Sequence, residues 1–133
     1  MISLPLARKL RDGGLRWDPA TGDRFIVADR DMDDEVFTLS NMTVEAHDYP
    51  SGRVIGFNGT VEWALDSVEA GSSVWLPSEG QLRERLGGTF RRLERDGDGW
   101  RVVLEVAGHE VVTRDVDACD AYGLALLHLV TGD

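Results

Sequence analysis

FRRLERDGDGWRVVLEVAGHEVVTR, residues 90–114, is the stretch whose reading decides the fold. Asp96-Gly97-Asp98-Gly99 is a strong hairpin signal, because glycine reaches the backbone angles that tight two-residue loops require. On either side, 90–95 and 100–106 read as strands. Trp100, Val102, Leu104 and Val106 alternate with Arg101 and Glu105, the period of a strand with one face in a core. Gly108 turns the chain again, and 109–114, with the β-branched Val111, Val112 and Thr113, returns as a third strand. Residues 117–130 then read as a closing helix.

Working upstream, Ser78-Glu79-Gly80-Gln81 has the form of a capping box. The serine hydroxyl accepts from an orphan amide at the start of a helix, and the glutamine side chain reaches back. Leu82 and Leu86 supply the apolar face, Gly87-Gly88 ends the helix, and 73–76 precedes it as a short strand. Further back, 23–28 and 35–39 read as strands on either side of a polar loop at 29–34. The segments 43–49 and 53–57 form a hairpin across Pro50-Ser51-Gly52. Residues 60–68 carry two signals. Asn58-Gly59 suggests a hairpin turn, whereas Val61, Ala64, Leu65 and Val68 fall on one helical face behind a possible cap at Thr60; the reading adopted is a short helix. At the N-terminus, 3–12 is a helix capped by Ser3, with Pro5 in its first turn, Leu6 and Leu10 on one face, and Gly13-Gly14 as its stop.

Strands follow strands through short turns. The expected fold is therefore α+β: a single domain over 1–133 with a largely antiparallel, meandering sheet and three or four short helices packed on it. A chain of 133 residues with 42% hydrophobic residues can bury a core without disulfides or metals. Its one cysteine, Cys119, cannot form an internal disulfide. No apolar run approaches the roughly 20 residues of a membrane span, and the first residues lack the apolar segment of a signal peptide. These observations lead to an expectation of a cytoplasmic protein that does not use a membrane.

The net charge of −10 repels phosphate backbones, which disfavours nucleic acid and suits a protein partner with a basic surface. Arg83, Arg85, Arg91, Arg92 and Arg95 are interleaved with Glu84, Glu94 and Asp96, so they read as a solvated ion-paired face.

Asp29, Asp31 and Asp33 begin like a calcium loop, but the position that needs glycine holds Asp34 and the closing glutamate position holds Ser40. His109-Glu110 opens like a zinc-protease motif, but Thr113 stands where the second histidine belongs. Cys119 and His128 lie nine residues apart on one helix, which places them on opposite faces; Cys119 reads as a small buried hydrophobe. No catalytic residue, cofactor site or metal site is assigned. Trp17, Trp63 and Trp75 are the candidate binding residues, because Trp17 and Trp75 each stand near a proline at the edge of an element, where an aromatic ring can line a groove or cover a core end.

Gly14-Leu15-Arg16-Trp17-Asp18-Pro19, Gly22-Asp23-Arg24-Phe25, and Trp75-Leu76-Pro77 with Gln81, Leu82 and Leu86 resemble a family of small uncharacterised proteins from actinobacteria and some phages, some of which carry a pilus-assembly label. The resemblance implies an ATPase partner or domain in pilus biogenesis, although this chain has no nucleotide loop. It carries over no catalytic residue.

Two functional classes follow: a non-enzymatic domain that binds a protein partner or small ligand, and, as the alternative, a small hydrolase-like enzyme using His47 or His109 with a carboxylate. Oligomeric state is not legible. Titration calorimetry with calcium should give no micromolar isotherm; a clear one would overturn the rejection of the 29–40 loop.

Overall fold

The computed structural model describes residues 1–27, 35–39, 44–49, 52–57, 67–69 and 73–132. The strands at 44–49, 52–57 and 67–69 are described by their pairing alone. The polar loop at 29–34 and the greater part of the 60–68 segment, Trp63 included, lie outside the described residues. The architecture is α+β, with helices Leu4–Asp12 (α1), Glu79–Leu86 (α2) and Ala118–Thr131 (α3), and with antiparallel sheets of three strands each. The chain divides into two compact units, Met1–Arg16 with Pro77–Asp133, and Trp17–Leu76. The second is thus inserted in sequence between α1 and α2 of the first.

In the inserted unit, Arg24–Val27 (β1) lies between Phe37–Thr38 (β2) and Ser73–Leu76 (β6). The register sets Phe25 opposite both Phe37 and Trp75, so three aromatic residues cross the sheet in a row. Trp17 closes on Phe25 with ring centroids 5.4 Å apart, and Phe37 stacks on Phe25 at 5.6 Å. With Val27 and Leu39 these rings form an apolar cluster. Val44–Tyr49 (β3) and Gly52–Phe57 (β4) pair antiparallel, as expected of the two segments, and Ser67–Glu69 (β5) joins β4. The helix read over 60–68 is corrected at its end: Ser67 and Val68 are strand, paired with Gly56 and Ile55. Valine serves either state, and cross-strand pairing outweighed a helical spacing carried by four residues.

In the other unit, Phe90–Asp96 (β7), Gly99–Val106 (β8) and His109–Asp115 (β9) form the meander. Its first turn has Gly97 at φ 60° and its second has Ala107 at 51° and Gly108 at 82°. Both loops hold two residues, and positive φ matches the right-handed twist of the strands they join. Val102 and Leu104 point to the helical layer, where Ala121, Tyr122, Ala125 and Leu126 of α3 are buried, as are Leu82 and Leu86 of α2. Phe90 meets Tyr122 with ring centroids 5.7 Å apart. A fully buried leucine contributes about 1.5–3 kcal/mol, so this layer dominates the unit. Val103 departs from the expected alternation: it is buried on the opposite face, where its cross-strand neighbours are Arg92 and Val112. Ion pairs Arg91–Glu105, Arg92–Glu94 and Arg101–Glu94 stand on that outer face. The Arg101 hydrogen bond holds the Glu94 carboxyl below its ordinary pKa.

α1 runs alongside α3 in the same direction. Near their starts the Ser3 amide donates to Asp120 Oδ1 at 2.8 Å, and further on Gly13 lies against Leu127 and Thr131. Ser3 occupies the cap position without a side-chain bond. Parallel helices bring two positive dipole ends together, and the carboxylates of Asp117 and Asp120 offset them. Between these points Gly123 makes the contact possible: a Cβ there would lie 2.6 Å from Leu6 Cδ2 and 3.2 Å from Ile2 Cδ1.

The capping box at α2 is present in both directions. Gln81 N donates to Ser78 Oγ at 3.2 Å, and Ser78 N donates to Gln81 Oε1 at 2.9 Å. Ser78→Ala should lower stability by about 1 kcal/mol, read as a lower denaturant midpoint at unchanged slope. An unchanged midpoint would show that the box carries no net stability.

Candidate functional site

The hairpin turns place β9 at one edge of its sheet: among the described residues it pairs with β8 and with nothing beyond. α3 follows β9 directly and doubles back beneath it, with Thr113 Oγ1 donating to the Ala121 carbonyl at 2.8 Å. Because α1 lies beside α3, the open edge of β9 borders a groove. Its volume is about 720 Å³, and it is lined by Lys9, Asp12 and Gly13 of the α1 end, Val111 to Arg114 of β9, and Leu124, Leu127, His128 and Thr131 of α3.

The floor is apolar and the rim is charged. Lys9 and Arg114 against Asp12, with His128 neutral, give a net charge of +1 (two minus one) in a chain of −10. Asp12 is also paired with Arg11 at 3.1 Å, and Arg114 pairs with Asp96 at 3.2 Å. The hydroxyls that share the groove with His128 are committed as donors to helix carbonyls, Thr113 to Ala121 and Thr131 to Leu127 at 2.7 Å. A hydroxyl whose proton already points at a carbonyl is not poised to give it to an imidazole base. The arrangement suits binding better than nucleophilic chemistry.

The residues singled out in the sequence fall elsewhere. Trp17 is half-buried, and its indole Nε1 donates to Asp23 Oδ2 at 2.9 Å. The same oxygen accepts from the Ala20 amide at 3.0 Å. Asp23 is 4% exposed, and its backbone exchanges further bonds with Ala20 and Leu39. Trp75 is 7% exposed, within the aromatic row of β6 and β1. Trp63 is outside the described residues, and so are the side chain of His47 and the acidic positions Asp29, Asp31 and Asp33. His109 is exposed at the start of β9. Cys119 is half-buried rather than fully buried, because it sits in the first turn of α3 close to the chain's N-terminus; burial raises its thiol pKa.

Sequence reasoning did not single out Lys9, Leu124 or Leu127. A signal was available. Leu124, Leu126, Leu127, Leu129 and Val130 make the second half of α3 apolar over more of its circumference than one buried face requires.

No protein-family profile matches the chain. Among curated proteins, a stretch of 44 residues is 32% identical to the tRNA 5-methylaminomethyl-2-thiouridine biosynthesis bifunctional protein MnmC of Leptospira interrogans, in serovars copenhageni and Lai. The match takes in 33% of this chain and only 7% of that protein's length. No solved structure matches the chain.

Trp17 and Asp23 are a test of structure against binding. Trp17→Phe keeps the ring on Phe25 but withdraws one donor from a buried carboxylate, which should cost about 1–3 kcal/mol. Thermal or denaturant unfolding reads this loss; an unchanged midpoint would free Trp17 from its structural role.

Proposed function

We propose that this chain is a non-enzymatic binding domain, and that a protein partner occupies the groove between β9, α1 and α3. One observation carries the reading: an apolar groove lies directly beside a strand edge that has no neighbour among the described residues. Strand edges and concave apolar surfaces are the two features by which one chain captures another. The overall charge of −10 favours a protein over nucleic acid as the ligand. Among the described residues no helix is long and apolar enough to cross a membrane. With a single cysteine in the chain, that agrees with a cytoplasmic location. The resemblance to proteins labelled for pilus assembly supports the same class, since a chain without a nucleotide loop would act there through a partner.

The acidic surface as a whole suits a basic partner, and the groove is its local exception. The hydrolase alternative rests on His47 or His109 with a carboxylate. An exposed His109 at the start of an edge strand gives that alternative no pocket.

The test is cross-linking and affinity capture from the producing cells, with the wild-type chain, Leu127→Glu in the groove, and Arg83→Glu on exposed α2 as control. All three should share the same far-ultraviolet dichroism. Leu127→Glu should lose the captured protein and Arg83→Glu should keep it. Retention by a folded Leu127→Glu would move the binding surface elsewhere.

A further inference from the structure

Resting on the reading of the groove as a binding site, we infer that the partner is a second copy of this chain: two β9 strands pair edge to edge, antiparallel about a twofold axis at Val112, and join two three-stranded sheets into one continuous sheet.

The charges on the outer face are incomplete in one copy. Directly opposite residues of an antiparallel pair share a face, and like charges so placed repel. The register of β8 and β9 sets Arg101 opposite Arg114 and Glu105 opposite Glu110. The β8 members are already served from β7: Arg101 pairs with Glu94 at 3.2 Å and Glu105 with Arg91 at 3.0 Å. The β9 members are therefore the surplus charge of each row, positive at Arg114 and negative at Glu110. Arg114 reaches sideways to Asp96 at 3.2 Å, with both side chains exposed. Glu110 is exposed and has no ion pair among the described residues. On the other face, Asp115 accepts from the Asp117 amide.

An isologous pair supplies what each row lacks. In such a contact, if one residue meets a second, the second meets the first. About an axis at Val112, Arg114 of each copy lies opposite Glu110 of the other, and Val112 meets Val112. Each row then runs Glu94, Arg101, Arg114, Glu110, Glu105, Arg91, with unlike charges at the seam between copies. A parallel pair in register would instead set Glu110 beside Glu110 and Arg114 beside Arg114.

The backbone selects the same register. The two-residue loop Ala107-Gly108 closes Val106 and His109 as a hydrogen-bonded pair, and bonded and non-bonded pairs alternate from there. Glu110, Val112 and Arg114 thus turn their N–H and C=O groups to the open edge. An axis at Val112 pairs all three with all three, two main-chain bonds to each pair. Sliding one copy by two residues sets a charge opposite Val112 and leaves the third residue beyond the strand. Of the large apolar side chains exposed among the described residues, Val112 at 39% and Val116 at 77% lie on this strand or just past it, and the pairing sets Val116 opposite the second copy's Gly108.

The helical layer fits as well. α3 packs on both β8 and β9, beneath their seam. Pairing two β9 strands sets the two α3 helices two strand spacings apart, about 9.6 Å, within the roughly 8–10 Å at which helices pack. Leu124 and Leu127, half-buried on the groove side of α3, then face their counterparts in the second copy. Two chains of −10 repel over distance. The seam row Glu110, Val112 and Arg114 sums to zero, and Lys9 and Asp12 on the groove rim cancel.

The experiment is sedimentation equilibrium of the full chain and of Glu110→Arg, Arg114→Glu and the two combined, all with the same far-ultraviolet dichroism. The wild type should form a concentration-dependent dimer and nothing larger. Each single reversal sets two like-charged contacts across the seam and should raise the dissociation constant by about tenfold or more. The combined variant restores unlike charges within one sequence and should dimerise again. An equimolar mixture of the two single variants should do the same, as a heterodimer. Hydrogen exchange should show protection at the amides of Glu110, Val112 and Arg114 that rises with concentration. A dimer indifferent to the single reversals would overturn the proposal, as would a mixture that stays monomeric or protection confined to other amides. If the wild type is monomeric at every concentration tested while Leu127→Glu still loses a protein captured from the cells, the groove reading stands and self-pairing falls.

Discussion

The close passage of α1 over Gly123 is the contact on which the arrangement of the larger unit depends. A side chain at that position would collide with Leu6 and Ile2, so the absence of one lets α1 lie flat along α3. Glycine in a helix interior costs about 1 kcal/mol relative to alanine, a cost offset by burying Ile2, Leu6 and Leu10. The same contact fixes direction. With Ser3 held at Asp120 and Gly13 at Thr131, the C-terminal ends of both helices arrive together beside the start of β9. The groove is a consequence: β8 and β9 lie against α3, and α1 lies along α3 beside the open edge of β9.

Sheet edges usually carry devices against unwanted pairing, and charge is the commonest. β9 has Glu110 and Arg114 on either side of Val112, which discourages indiscriminate pairing while leaving the middle of the edge apolar. The opposite edge differs. β7 begins at a register irregularity between Phe90 and Arg92 and carries arginines whose partners are Glu94 and Glu105. Both edges carry ion pairs, but β9 opens onto an apolar floor. That asymmetry is the physical basis for assigning the binding role to β9.

In the inserted unit, the residues that look most like a signature are spent on structure. Trp17 and Asp23 hold one turn through a shared carboxylate oxygen, and the Ala20 amide completes it. Phe25 is stacked between Trp17 and Phe37, and Trp75 stands opposite it on β6. Aromatic and acidic residues near prolines attract functional readings because grooves are built from such groups. Here the same groups close a small core against water.

Local physics was legible in the order of residues. The capping box at Ser78 and the glycine turns at 97 and 108 depend only on neighbours within a few positions, and each is found where the sequence places it. The α+β class follows from these alone. Non-local physics was not legible. Ser67–Glu69 is a strand because β4 lies beside it, Cys119 is half-buried where full burial was expected, and Val103 is buried on the face that alternation leaves to water. The groove belongs to the same group. Lys9, Val112 and Leu127 are separated by about a hundred positions or by a full turn of chain direction, and each alone reads as an ordinary surface or core residue. Only the packing of α1 on α3 and the edge position of β9 bring them onto one surface, because side-chain meetings across elements are set by the tertiary fold and not by sequence spacing.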